Sequence, residues 1–273
     1  MVADLVRTGG PRSIVITGAT KGIGRGLAEA LLARGCAVTI CGRDAAGVDK
    51  AVAELGAKHE PERVAGRVCD VGSYEDVAAL WDAAVARFGQ VDVWINNAGT
   101  SNVQKLFAEL DPASLESTVR ANVLGTMNGS RVALEGMVRR GSGALYNMEG
   151  YGSDGARSLG MAVYGSTKVA VRYLTRSLAD ETRATGVQVC TLSPGVVPTE
   201  LLVSVYAEGD SARWARQRWL FKFIADPVDV VCPWLADAVL ANKKTDVRLA
   251  WMTVMKAALR FFMPRYHRRD LFS

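Results

Sequence analysis

The chain has 273 residues, a formal net charge of +5 and 49% hydrophobic residues, enough to bury a full core and short for two independent domains. No low-complexity tract or solenoid-period repeat divides it, no apolar run is long enough to span a bilayer, and the modest basic excess comes without a nucleic-acid motif, so no nucleic-acid partner is expected. The five cysteines, Cys36, Cys41, Cys69, Cys190 and Cys232, lack metal-ligand spacing and, with no apolar leader, read as buried thiols of a cytoplasmic protein.

In chain order, Ser13–Thr17 reads as a short buried strand that runs into Gly18-Ala19-Thr20-Lys21-Gly22-Ile23-Gly24 and then a helix, Arg25–Ala33. Glycines at such a strand-to-helix turn allow positive φ and close backbone approach, and the first amides of the helix present unpaired N–H groups. This predicts a cradle for a diphosphate. The spacing Gly-x-x-x-Gly-x-Gly is not the Gly-x-Gly-x-x-Gly dinucleotide fingerprint. Further strands are predicted at Ala37–Cys41, Arg63–Cys69, Val91–Asn96, Ala144–Met148 and Gln188–Leu192, with helical periodicity at Val48–Leu55, Glu75–Phe88 and Leu115–Val138. Such alternation favours a parallel sheet covered on both faces, with ligands beyond the carboxyl ends of its strands. The glycine turn, Asn97-Ala98-Gly99 and Pro194-Gly195 all fall there. Asn96 reads as a residue of the local turn. His59 and His267 lie in a polar connection and a basic tail, so neither is expected to bind a metal or act as a base, and no metal site is expected.

The stretch Tyr164-Gly165-Ser166-Thr167-Lys168 carries the chemistry. A phenol and an ammonium four residues apart on a helix project from one face. A phenol ionises near about pH 10 and is a poor acid–base group at neutrality unless a cation lowers its pKa, a part that Lys168 is placed to play.

Thr17-Gly18-x-x-x-Gly22-Ile23-Gly24, Asn96-Asn97-Ala98-Gly99, Asn122, Tyr164-x-x-x-Lys168 and Pro194-Gly195, in that order over residues 11–200, resemble the short-chain dehydrogenase/reductase family. The resemblance implies an α/β fold, a single doubly wound (Rossmann-type) parallel sheet with helices on both faces. It implies hydride transfer between a nicotinamide cofactor and a carbonyl or alcohol. Tyr164 would act as the acid/base. Lys168 would lower the phenol's pKa and bind the nicotinamide ribose, and Asn122 would hold a water linking Lys168 to solvent. Gly18, Thr20, Lys21, Gly22, Ile23 and Gly24 would hold the diphosphate, Asp70 and Val71 the adenine, and Asn97, Ala98 and Gly99 the adenosine. Pro194, Gly195, Val197 and Thr199 would embrace the nicotinamide beside Tyr164 and Lys168. Members of the family commonly form homodimers or homotetramers, and the same is expected here.

Charge after the second strand decides between cofactors. An acid there accepts the adenosine ribose hydroxyls of NAD, whereas a cation pairs with the extra phosphate of NADP. Arg43 follows Gly42 and can take a phosphate bidentately, and Lys21 in the glycine turn adds a second charge, so NADP(H) is preferred over NAD(H). Asp44 could instead bind a ribose hydroxyl.

The family serine that polarises the substrate carbonyl is where the chain departs. The stretch reads Tyr146-Asn147-Met148-Glu149-Gly150-Tyr151-Gly152-Ser153-Asp154-Gly155. Glu149 and Gly150 stand where serines are expected and Tyr151 sits at the nominal spacing. Ser153, eleven residues before Tyr164, could serve if the glycine-rich turn bends it inward; otherwise Tyr151 or a backbone amide must do so. This stretch is similar to the chlorophyll b reductase branch, whose members reduce a formyl group on a chlorin ring, which implies a bulky, lipophilic carbonyl substrate. The rival reading is a regulatory or membrane-associated protein that binds NADP without turnover.

A single unit over residues 1–273 is expected, with a substrate lid about residues 200–225 carrying Leu201, Leu202, Val203, Trp214, Trp219, Leu220 and Phe221. These side chains either cover substrate or pack the lid onto the body. About residues 246–273, apolar Trp251, Met252, Met255, Leu259, Phe261 and Phe262 interleave with Arg248, Lys256 and Arg260. Arg265, His267, Arg268 and Arg269 follow. The segment Val247–Phe262 reads as a basic amphipathic helix that packs on a second subunit or lies peripherally on a membrane.

Overall fold

The computed structural model describes residues 10–102, 104–206 and 211–271; residues 207–210 of the expected lid and the extreme ends of the expected unit lie outside them. The elements are β1 Ser13–Ile16, α1 Gly22–Leu32, β2 Ala37–Gly42, α2 Ala45–Lys58, β3 Val64–Val68, α3 Tyr74–Phe88, β4 Val93–Asn96, α4 Pro112–Val119, α5 Gly125–Arg140, β5 Gly143–Met148, α6 Ala162–Glu181, β6 Val187–Ser193, α7 Glu200–Tyr206, α8 Ser211–Ile224, α9 Val228–Ala241, β7 Arg248–Ala250, α10 Val254–Phe261 and α11 Pro264–His267. The strands form one seven-stranded sheet in the order β3-β2-β1-β4-β5-β6-β7, parallel at each pairing. This is the doubly wound α/β sheet that the alternation of elements predicts.

Central strands are apolar almost without interruption because both faces are covered. Side-chain alternation divides the core. Ile14 and Ile16, with Val38, Ile40 and Tyr146, face one layer containing Leu27, Leu31 and Leu55 of α1 and α2 and Leu235 of α9. Val15, Trp94, Leu145 and Val189 face the other, with Leu80 of α3, Met137 of α5 and Ala179 of α6. All five cysteines are free and buried in this body, as expected, with Cys41 in β2, Cys190 in β6 and Cys232 in α9.

The interior also contains a polar tie. Asn96 accepts from Trp94 Nε1 at 2.7 Å and donates to Asn147 Oδ1 at 2.8 Å and Ser130 Oγ at 3.1 Å, and Asn147 donates to Thr175 Oγ1 at 2.9 Å. Asn96 therefore joins β4 to β5 and α5, and through Asn147 to α6, rather than serving the local turn alone. A dry core leaves such amides no other way to satisfy their donors and acceptors.

Two expected helices are interrupted. The Leu115–Val138 periodicity is met by α4 and α5, joined through a π-helical turn at Arg120–Leu124 with Asn122 at its centre. Val247–Phe262 is not one helix: Arg248–Ala250 extends the sheet as β7 beside β6, and α10 begins only after Thr253, whose hydroxyl accepts from the Lys256 amide. The mixed apolar and basic spacing fits an edge strand followed by a short helix as well as it fits a continuous helix, and the open edge of β6 decides between them.

The carboxyl end docks through charge. Asp226, buried between α8 and α9, pairs with Arg260 at 2.7 Å and Arg269 at 3.0 Å and accepts from Trp251 Nε1 at 2.8 Å. Arg260 is thus buried, while Val254 and Phe262 are 90% and 82% exposed, so α10 turns apolar residues outward. On its inner side Phe261 packs against Phe223 and Trp219 of α8, with ring centroids 4.9 and 5.9 Å apart. Of the expected lid side chains, Phe221 is buried, whereas Leu201, Val203, Trp219 and Leu220 stay exposed. Among the described residues no helix is long and apolar enough to cross a membrane. No cluster of metal-ligating side chains is present among them either.

Asp226→Ala leaves the buried Arg260 guanidinium without its partner. The expected loss is about 3–5 kcal/mol in urea unfolding; a loss below about 1 kcal/mol, the size of an exposed pair, would show that the carboxyl end is held by its aromatic contacts alone.

Candidate active site

Strand order reverses between β1 and β4, so the loops leaving their carboxyl ends diverge and open a crevice. Thr17 and Asn97 tie its two walls together. Thr17 Oγ1 accepts from the amides of Asn97 and Ala98, each at 3.0 Å, and Asn97 Nδ2 donates to the carbonyls of Thr17 at 2.9 Å and Gly18 at 3.0 Å. Gly18 has φ +62°, and a Cβ there would lie 2.7 Å from Ala98 Cα, so no other residue fits. The helix that follows starts at Gly22 with no side chain capping it, which leaves its first amides available to an anion.

Around this cradle the expected residues fall as follows. Thr20 packs on Gly42 at the end of β2. Ile23 lies partly buried against the core. Lys21, expected as a free second cation, is instead paired with Glu200 at the start of α7, at 2.5 Å between two exposed side chains. Arg43 is exposed just beyond β2. Asp44 caps α2, its carboxylate accepting from the Gly47 amide at 2.7 Å, so it is engaged in the fold rather than free for a ribose. Asp70 accepts from the Gly72 amide at 2.9 Å and approaches Arg120 at 3.4 Å, and the Val71 carbonyl accepts from Asn128 Nδ2. Beyond Pro194, Gly195 turns with φ +74° against Met252, Val197 is buried, and Thr199 lies beside Gly22.

The opposite wall belongs to α6. Lys168 Nζ donates to the carbonyl of Met148 at 3.2 Å and sits 5.6 Å from the centroid of the Tyr164 ring. A Cβ on Gly99 would touch Asn122 Oδ1 at 3.1 Å and Lys168 Nζ at 3.8 Å, which shows how closely the β4 loop, the π-helical turn and α6 converge. Tyr164 Oη lies against Gly150: a Cβ there would come within 2.3 Å of it. The glycine that replaces an expected serine is therefore what leaves room for the phenol.

Electrostatics here are governed by burial. The Tyr164 phenol is pushed up to about 12 by desolvation and Lys168 down to about 8 by the same cause, opposed by the negative charge of Glu149. The expected lowering of the phenol's pKa by Lys168 is outweighed by desolvation. Burial therefore favours the neutral form of the Tyr164 phenol.

Asn122 is wholly buried, and its side chain is engaged with the Thr100 backbone in both directions, at 2.8 and 2.9 Å, and with Thr167 Oγ1 at 3.0 Å. Thr126 Oγ1 donates to its backbone carbonyl at 2.7 Å. Ser153 is buried in the turn after β5, its amide donating to the Gly150 carbonyl at 3.2 Å. That turn rests on the first turn of α6, because a Cβ on Gly152 would meet Gly165 Cα at 2.9 Å. Tyr151 is exposed.

One residue of the site was not anticipated. Glu149, read only as a replaced serine, is buried and ion-paired with Arg248 of β7, whose Nε lies 2.6 Å from its carboxylate. An acid at the end of an apolar strand was the available signal; its partner, 99 residues away, had none.

These features define a doubly wound α/β fold with a glycine turn at its crevice and a tyrosine–lysine pair on the facing helix. Residues 12–209 match the family model described as short chain dehydrogenase, and the chain belongs to the short-chain dehydrogenase family of oxidoreductases. It is 36% identical over 263 residues to the chloroplastic chlorophyll(ide) b reductase NOL of Oryza sativa subsp. japonica, covering 92% of this chain and 74% of that one. To the probable chlorophyll(ide) b reductase NYC1 of Arabidopsis thaliana it is 37% identical over 211 residues, 71% of this chain but 42% of that one. The chloroplastic location of these relatives lends no support to the expected cytoplasmic one. A solved structure of actinorhodin polyketide ketoreductase with NADPH superimposes with a TM-score of 0.77 at 29% identity, covering 88% of this chain and 95% of that one.

Gly150→Ala places a methyl group against Tyr164 Oη. The ring is expected to shift, with a stability loss of about 1–3 kcal/mol from overpacking, measured by crystallography and thermal unfolding; an unmoved ring at unchanged stability would show that the turn gives way instead.

Proposed function

We propose that the protein is an NADP(H)-dependent carbonyl reductase acting on a bulky, lipophilic aldehyde or ketone. The observation that carries this reading is the half-buried Tyr164, its phenol against Gly150 and kept neutral by desolvation, with Lys168 one turn further along the same helix.

The crevice suits a dinucleotide. The uncapped start of α1 and the close-packed glycine turn suit a diphosphate, held by Gly18, Thr20, Gly22, Ile23 and Gly24. Asp70 and Val71 are assigned to the adenine, Asn97, Ala98 and Gly99 to the adenosine, and Pro194, Gly195, Val197 and Thr199 to the nicotinamide. Asp44 is engaged in capping α2 while Arg43 stands exposed beside it, which supports a 2′-phosphate over free ribose hydroxyls. When bound, the reduced cofactor would supply hydride to the carbonyl carbon.

Tyr164 donates its proton to the carbonyl oxygen as negative charge develops there. A phenol that burial keeps protonated suits this reductive direction. Lys168, as an ammonium, stabilises the phenolate left behind and binds the cofactor ribose. Ser153 is assigned to polarise the carbonyl, its turn resting on the start of α6. Asn122 holds the π-helical turn against Thr100 and Thr167, and is assigned to hold the water that links Lys168 to solvent. The exposed Leu201, Trp219 and Leu220 and the names of the chlorophyll(ide) b reductases support a greasy substrate.

Tyr164→Phe is expected to lower NADPH-dependent turnover by about 10²–10⁴-fold and leave NADPH affinity in place. Absorbance loss over a panel of carbonyls, including a chlorin bearing a formyl group, measures the first and fluorescence titration the second. Tight NADPH binding with no turnover on any carbonyl would favour a binding protein instead. Arg43→Leu is expected to weaken NADPH binding by roughly 10- to 100-fold, the worth of a charge-assisted hydrogen bond, with NADH affinity unchanged. An unaltered NADPH to NADH ratio would rule Arg43 out as the phosphate ligand.

A further inference from the structure

Glu149 is an expensive residue to keep where it stands. It directly follows β5 at 3% exposure, one carboxylate oxygen takes Arg248 Nε at 2.6 Å, and the other, Oε2, is buried with no hydrogen-bond partner among the described residues. A carboxylate so placed costs stability unless its charge is matched. Arg248 matches part of it and is itself held by donating to Ser193 Oγ of β6 at 2.9 Å. Lys168 lies close by: its Nζ donates to the carbonyl of Met148, the residue before Glu149, and the carboxylate's charge opposes its desolvation.

Lys168 needs such a neighbour. At 5% exposure its ammonium is stripped of water, and desolvation alone favours the neutral amine. The groups facing it are Tyr164 from its own helix, neutral until it gives up a proton, the uncharged Asn122 from the π-helical turn, and Glu149 from the end of β5. Arg248 of β7 stands behind Glu149. Its side chain is 45% exposed while that of Glu149 is 2% exposed, so solvent screens the guanidinium more than the carboxylate and the net field at Lys168 is negative.

We propose that Glu149, clamped by Arg248, is a positioning carboxylate that keeps Lys168 an ammonium inside the buried site. It does so from a place where the family pattern puts a neutral hydroxyl. The line Arg248–Glu149–Lys168 runs from β7 through the end of β5 to α6. The idea rests on the reductase reading only in giving the ammonium a task beside Tyr164; the charge of Lys168 itself is measurable without substrate or cofactor.

The test follows the ¹³Cε resonance of Lys168, assigned by its absence in Lys168→Arg, through a pH titration of the lysine-labelled protein. The native midpoint is expected near 8, and Glu149→Gln is expected to lower it by about one pH unit or more. A folded Glu149→Gln protein with an unmoved midpoint overturns the proposal, even if its melting temperature falls, because a merely structural carboxylate would change stability alone. Should that variant not fold, Glu149→Gln combined with Arg248→Met removes both charges at similar volume. A downward shift is expected there too, smaller because the opposing Arg248 charge is gone as well, and its absence overturns the proposal equally. A lowered midpoint in a protein that turns over no carbonyl leaves the proposal standing and removes the reductase reading.

Discussion

The tie between Thr17 and Asn97 at the ends of β1 and β4 is the constraint on which the site depends. The sheet reverses its order there, so two neighbouring parallel strands send their chains in opposite directions and a crevice opens between them. Without the tie the glycine turn would have only its own weak propensities. With it, Gly18 is pressed onto Ala98 at a distance no side chain allows, directly ahead of the start of α1, which no side chain caps.

Burial of charge is the second organising force. The interior keeps Asp226 with Arg260 at the docking of the carboxyl end and Glu149 with Arg248 beside the site, each an ion pair whose members lie far apart in sequence. Such pairs add little net stability over apolar replacements but penalise any arrangement that separates them, so they fix where β7 and α10 sit. The same dry surroundings keep Tyr164 protonated and draw Lys168 toward neutrality. In the proposed site a neutral Tyr164 phenol beside a Lys168 ammonium calls for an added negative charge, which the buried Glu149 supplies.

The exposed cations are arranged differently. Lys21 reaches Glu200 across the mouth of the crevice, which joins the glycine turn to the start of α7 by a solvent-screened contact of small energy. Arg43 stands beside an Asp44 already engaged as a helix cap. The two cations that look alike in sequence therefore occupy unlike situations, one paired over the crevice and one exposed at its edge.

The sheet and the cradle were legible in the sequence because both rest on local rules. Parallel strands buried on both faces must be continuously apolar, and a tight turn against another strand must be glycine. Tyr164 and Lys168 share a face because helical geometry places residues four apart together. The carboxyl end was misread, since Arg248–Ala250 became a strand only because β6 offered an unpaired edge, a fact that no local period records. The Glu149–Arg248 pair, the room that Gly150 leaves for the phenol and the raised pKa of Tyr164 were likewise out of reach. Sequence alone determined the order of elements and which side chains share a turn or a helix face, because these follow from neighbours along the chain. Tertiary structure decided which charges are buried together and which protons are held, because desolvation and long-range pairing depend on what the fold brings alongside.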